Sequence, residues 1–150
     1  MATPSISPNT ALEIRRIFQA PRKKVFRAWT EAKELNRWFG PSDEYTAKTE
    51  VDLRVGGKYR FEIRHSGEAV HTAFGEYREI LPPEKLVFTW SWEDGSVENT
   101  LVTIDFLDNG AGTQIVLTHE LFPSTEWRDK HNEGWNGCIG QLEKLLRDRG

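Results

Sequence analysis

Residues 124–149 read STEWRDKHNEGWNGCIGQLEKLLRDR. At 100° per residue, Trp127, His131, Trp135, Cys138, Leu142 and Leu145 fall on one stripe, with Asp129, Glu133, Lys144 and Arg147 opposite. Ser124 is suited to cap the first turn, with Trp127 where a capping-box acid would stand and Glu126 just before it. The pattern predicts one long amphipathic helix. A core helix usually offers leucine, isoleucine and valine on such a stripe. This one offers two tryptophans, a histidine and a cysteine, with Gly134 at the edge, so it reads either as an ordinary core helix or as the roof of a cavity.

What such a helix packs on is set upstream. Lys58 to Arg64 places Tyr59, Phe61 and Ile63 on one face and Arg60, Glu62 and Arg64 on the other, a period of two. Leu86, Phe88, Trp90 and Trp92 repeat it, then Val102, Ile104 and Phe106, then Ile115, Leu117, His119 and Leu121. Gly56-Gly57, Ser66-Gly67, Pro82-Pro83, Asp94-Gly95 and Asn109-Gly110 punctuate the runs, and such short connections join antiparallel strands. With strands over residues 45–52 and 69–80, six form a meander. A further strand is expected over residues 11–20. Two short helices follow it, the first opened by Pro21, the second carrying Leu35, Trp38 and Phe39 and stopped by Gly40-Pro41. The order β-α-α-β6-α defines one α+β domain over residues 11–150. Its half-solvated sheet needs a cover, and the last helix is the long amphipathic element available. Its stripe should meet Phe61, Phe88, Trp90 and Trp92. A curved sheet closed by one helix commonly leaves a largely apolar cavity.

The bulk composition narrows the function classes. The chain has 150 residues, a net charge of −3 and one cysteine, so no global basic field favours nucleic acid or anionic lipid, and no internal disulfide forms. No apolar run reaches the roughly 20 residues that span a bilayer. Residues 1–10, MATPSISPNT, lack signal-peptide features and read as a disordered tail, and a cytoplasmic location is expected.

Few residues suggest chemistry. His119 and His131 sit at inward positions and could orient a polar group or act as acid and base; equally, each could be a hydrogen-bonded structural histidine. His131, mid-stripe, needs a partner: His119, a water or a ligand. His65 and His71 flank the Ser66-Gly67 turn and are expected at an exposed hairpin tip. Four histidines without HExxH spacing predict no metal site, and no cofactor motif is present. Cys138, on the buried stripe, reads as a small hydrophobe. Asp52 and Arg54 read as fixing a strand end before Gly56-Gly57. Arg22-Lys23-Lys24 reads as a solvated face.

Six segments in order carry a resemblance: residues 20–30 (AP–KVFRAWT), 37–41 (RWFGP), 52–61 (DLRVGGKYRF), 75–90 (GEYREILPPEKLVFTW), 118–122 (THE–F) and 131–146 (HNEGWNGCIGQLEKLL). The chain resembles stand-alone members of the family named for the C-terminal domain of the heat shock protein 90 ATPase activator. That family lies in the START-like, birch-pollen-allergen-like (SRPBCC) superfamily. The resemblance implies a helix-grip fold, a curved antiparallel sheet wrapped around a long C-terminal helix. Superfamily members bind lipids, hormones, polyketides and other apolar molecules, and a few catalyse reactions in the cavity.

The reading is therefore a soluble binding protein, monomer or homodimer, holding a small apolar or aromatic ligand. Trp38, Phe61, Trp90, Trp92, His119, Trp127, His131, Trp135 and Cys138 are the expected lining. The alternatives are a stress-related, co-chaperone-like module with a chaperone partner, and a cyclase- or hydrolase-type cavity enzyme using His119 or His131.

Overall fold

The computed structural model describes residues 10–148. The tail expected over residues 1–10 lies, apart from Thr10, outside the described residues, as does Arg149 at the end of the expected last helix. The elements run β1 (Leu12–Phe18), α1 (Arg22–Thr30), α2 (Ala32–Trp38), β2 (Tyr45–Val51), β3 (Lys58–His65), β4 (Glu68–Leu81), β5 (Lys85–Trp92), β6 (Thr100–Asn109), β7 (Gly112–Glu120) and α3 (Thr125–Asp148). This is the α+β, β-α-α-β6-α order expected from the periodicity. The seven strands form one antiparallel sheet in the order β1-β7-β6-β5-β4-β3-β2, so β1 returns to pair with β7 and the meander fills the rest.

Alternation is what turns one face inward. Tyr59, Phe61 and Ile63 of β3, Leu86, Phe88 and Trp90 of β5, Val102, Ile104 and Phe106 of β6, and Ile115, Leu117 and His119 of β7 are all buried. In β1, Ile17 is exposed, while Leu12, Ile14 and Phe18 are buried. Two irregularities bend the sheet. The register slips by one residue between β3 and β4 at Ile63/Arg64, and again between β4 and β5 at Tyr77/Glu79. Such bulges sharpen local twist. Gly75 lets the curled strands approach, because a Cβ there would lie 2.1 Å from the Thr89 carbonyl oxygen. Ser66 and Gly67, both at positive φ (55° and 84°), make the two-residue turn between β3 and β4. Gly56-Gly57 belongs to a wider connection, in which Asp52 binds Arg54 Nε at 2.9 Å and the Gly57 amide donates to the Arg54 carbonyl.

The sheet's ends are occupied by helices. At β2, Asn36 Oδ1 accepts the Thr49 amide at 2.8 Å and its hydroxyl at 2.7 Å. At β1, Arg16 reaches Asn136 Oδ1 of α3 at 3.0 Å. Unpaired strand edges invite pairing with other chains, and these contacts oppose it.

Helix α3 lies across the inner face, its first turn closed by Ser124 Oγ, which accepts the Trp127 amide at 3.3 Å. His131, Trp135, Cys138, Ile139, Leu142 and Leu146 are its buried residues. Close passage over the α2–β2 loop is set by Gly137, where a Cβ would meet the Pro41 carbonyl oxygen at 2.4 Å; at Gly140 a Cβ would meet nothing within 4 Å. Alanine favours a helix over glycine by about 1 kcal/mol. Gly140→Ala is therefore expected to stabilise the fold by up to about 1 kcal/mol, and Gly137→Ala to destabilise it by about 1–3 kcal/mol despite the same propensity gain. Urea denaturation of the two variants decides: equal shifts of the midpoint would mean that the approach at Pro41 is not tight.

Candidate functional site

Between α3, the loop after α2 and the inner face of the sheet lies a cavity of about 310 Å³. Trp90 and Trp92 reach it from β5; Trp127, Lys130, His131, Gly134, Trp135 and Cys138 from α3; Phe39, Pro41, Tyr45, Ile63 and His71 from the other side; and Asp94 and Ser96 from the turn after β5. Of the nine residues expected to line it, Trp90, Trp92, Trp127, His131, Trp135 and Cys138 do so. Trp38, Phe61 and His119 do not.

The three absentees have defined places. Trp38 is buried against Trp29, ring centroids 4.8 Å apart, and its indole N–H donates to the Ala28 carbonyl at 2.9 Å, so it knits α2 to α1. Phe61 lies behind Phe39, at 4.9 Å. Phe39 and not α3 therefore meets Phe61, because the α1–α2 corner fills that end of the sheet; Phe88 packs in turn on Tyr59 and Tyr77. His119 is fully enclosed one layer deeper, beneath Trp90 and Trp135.

Both inward histidines are held by tryptophans. Thr100 Oγ1 donates its proton to the Trp90 carbonyl at 2.7 Å, so it must accept from His119 Nε2–H at 2.8 Å. His119 Nδ1 then accepts the Trp135 indole N–H at 2.9 Å. His131 carries the other tautomer: Nε2 accepts the Trp92 indole N–H at 2.9 Å and Nδ1–H donates to the Trp127 carbonyl at 2.8 Å. The partner of His131 is thus Trp92 together with its own helix, in place of His119, a water or a ligand. Each ring is neutral with both nitrogens engaged, which leaves neither free to take a proton from a substrate. Burial pushes the pKa of both below the ordinary histidine value, further for the fully enclosed His119, with the neighbouring His131 adding to the shift.

The rest of the wall is inert. Burial raises the Cys138 thiol to about 12, so almost none is thiolate near neutral pH. Trp90 Nε1 is buried without an oxygen or nitrogen partner among the described residues, and the rings of Phe39, Phe61, Trp92, His119 and Trp135 surround its side chain. Among the described residues, no three His, Cys, Asp or Glu side chains gather as a metal site would need, and no helix is long and apolar enough to cross a membrane.

His71 is exposed, as expected, but it stands at the rim of the cavity instead of the hairpin tip, its ring 5.5 Å from Trp92. The slip between β3 and β4 explains this. Counting back from the turn would pair Val70 with Ile63; the extra residue pairs His71 with Ile63 and turns it toward the cavity, leaving Val70 45% exposed. Phe39, Pro41, Tyr45, Ile63, Asp94, Ser96, Lys130 and Gly134 also line the site, although the sequence pattern did not mark them as lining.

A curled antiparallel sheet gripping a long C-terminal helix, with a cavity between, defines a helix-grip protein of the START-like class. The family model described as "Activator of Hsp90 ATPase homolog 1-like protein" matches residues 19–147, and the chain belongs to that family. Among solved structures it is similar to protein CV1439 from Chromobacterium violaceum, with 28% identity, a TM-score of 0.82, and coverage of 93% of this chain and 98% of that one. It is also similar to PFC0360w, an HSP90 activator from Plasmodium falciparum, with 30% identity, a TM-score of 0.69, and coverage of 91% and 96%. The AHSA1 protein SPO3351 from Silicibacter pomeroyi shares the fold at 19% identity, with a TM-score of 0.81 and coverage of 93% and 99%. No curated protein matches the sequence.

Proposed function

We propose that the chain is a binding protein that holds a small apolar or aromatic ligand between α3 and the sheet. The supporting observation is the cavity of about 310 Å³, walled by four tryptophans whose neighbouring histidines are already satisfied by indole N–H groups. Such a wall offers ring faces and apolar area, and the volume stands at the lower end of the range for ligand sites, roughly 300–1,000 Å³. Native mass spectrometry of freshly purified protein is expected to show a bound mass that leaves on activation. A planar apolar probe, naphthalene, is expected to change tryptophan emission saturably. Protein that carries nothing and ignores the probe would count against the reading.

A second reading, a co-chaperone-like module, is favoured by the 30% identity to an HSP90 activator over nearly the whole of both chains. Adding the protein to a heat shock protein 90 and finding ATP turnover unchanged would dispose of it. An acid–base enzyme built on His119 or His131 gains no support from the site, since each ring would first have to release a tryptophan.

A further inference from the structure

The rim of the cavity differs from its interior in one respect that bears on the ligand. Within, the nitrogens of His131, Trp92 and Trp135 are engaged with one another or with His119 and the Trp127 carbonyl, and Trp90 Nε1, unpartnered among the described residues, is sealed among aromatic rings. At the rim, Lys130 rests with Nζ 4.8 Å from the Trp127 ring centroid and makes no ion pair or hydrogen bond among the described residues. The Trp127 indole N–H, three residues away on the same helix face, has no hydrogen-bond partner among them either. Asp94, the rim's carboxylate, has one oxygen occupied locally: its Oδ1 accepts the Ser96 amide at 2.8 Å and the Ser96 hydroxyl at 2.6 Å. The hydrogen-bonding capacity left over at the mouth among the described residues thus includes the Lys130 cation and the Trp127 N–H on the helix side, facing Asp94 Oδ2, the Tyr45 hydroxyl and the His71 ring on the sheet side. At roughly 20–30 Å³ per packed non-hydrogen atom, a volume of about 310 Å³ has room for about ten to fifteen such atoms.

We propose that the ligand is a planar carboxylate of one or two rings, its apolar body lying between Trp92, Trp127 and Trp135 and its carboxylate on Lys130 Nζ. This rests on the reading of the chain as a cavity-binding protein. One flexible ammonium at a half-open rim suits a single negative charge; a phosphate, with nearly two, is ordinarily met by several donors or by arginine.

Calorimetric titration with three probes sharing one bicyclic body tests it: 2-naphthoate, 2-naphthamide and 2-naphthylmethylammonium, at pH 7.5. The carboxylate is expected to bind about three- to ten-fold more tightly than the amide, as a charge-assisted contact at a solvated rim allows. Lys130→Met should remove that advantage, bringing carboxylate binding to the level of the amide, whereas Lys130→Arg should keep it; the side chain is exposed, so neither variant threatens the fold. Carboxylate binding no better than amide, or an advantage that survives Lys130→Met, overturns the inference while the cavity reading stands. The ammonium binding best overturns it in favour of an aromatic box for cations. If none of the three binds, the cavity reading falls and the inference with it.

Discussion

Replacing His119 with leucine is expected to destabilise the protein by about 2–4 kcal/mol, although the new side chain is apolar and of similar size. The fully buried ring joins three elements: Nε2–H binds Thr100 at the start of β6, and Nδ1 accepts Trp135 from α3 across the sheet–helix interface. Leucine cannot accept the indole proton, and a buried donor left without a partner costs about 1–3 kcal/mol. Thr100 loses a donor at the same time but keeps its own bond to the Trp90 carbonyl, so the larger share of the loss arises at Trp135. For a chain of this length the melting temperature should drop by roughly 5–15 °C.

A double-mutant cycle separates the hydrogen bond from simple packing. Trp135→Phe alone leaves His119 Nδ1 without a donor and removes ring area; His119→Leu alone leaves the indole without an acceptor. With both in place no unmatched pair remains, so the double variant should lose at least about 1 kcal/mol less than the sum of the singles. Strict additivity would show that the two side chains merely fill space. The second cavity-wall pair, Trp92 with His131, should behave likewise but less strongly, because Trp92 is only half-buried.

Why the sequence foretold the frame better than the site can be traced to particular residues. Alternation with a period of two is a local property, and it placed Phe88, Trp90, Ile104 and Leu117 indoors without any knowledge of partners. The stripe on the last helix was equally local, and it carried Trp127, His131, Trp135 and Cys138 to the cavity. Whether an inward residue faces empty space or another side chain is decided between elements. Trp38 has the spacing of a core residue, but its helix folds onto α1, where the Ala28 carbonyl awaits its indole. Phe39 follows it and slides over Phe61, taking the place the strand residue was expected to fill. His71 was lost to counting, since one extra residue in β4 reverses the side that a period of two assigns. Asp94 and Ser96 belong to a turn, and turn chemistry says what bends the chain, without saying what the bend overlooks.

Acidification should unsettle this protein well before its carboxylates begin to protonate. His119 and His131 are both neutral in the fold, with pKa values below the ordinary 6.5 because burial opposes the charged form. In the unfolded chain each takes a proton near pH 6.5. Between that pH and their folded values the unfolded state binds more protons, so stability rises with pH and is lost as pH falls, by about 1.4 kcal/mol per unit for each histidine. From pH 7.5 to 5.5 the two together should lower stability, His119 more than His131, read as a falling urea midpoint. Asp43, Glu93 and Asp94 have depressed carboxyl pKa values, so their contributions fade only at lower pH, and Glu120, raised by burial, runs the opposite way there. The window above pH 5.5 therefore belongs to the histidines. His119→Leu should flatten the slope within it, which a purely structural loss would not do. A proton on His131 also places two N–H groups 2.9 Å apart where Trp92 now donates, so Trp92 must leave that bond, and its emission should shift along with the midpoint. A flat midpoint from pH 7.5 to 5.5 would mean that the indole–imidazole pairs do not hold these rings neutral, and that the cavity wall is fastened by packing alone.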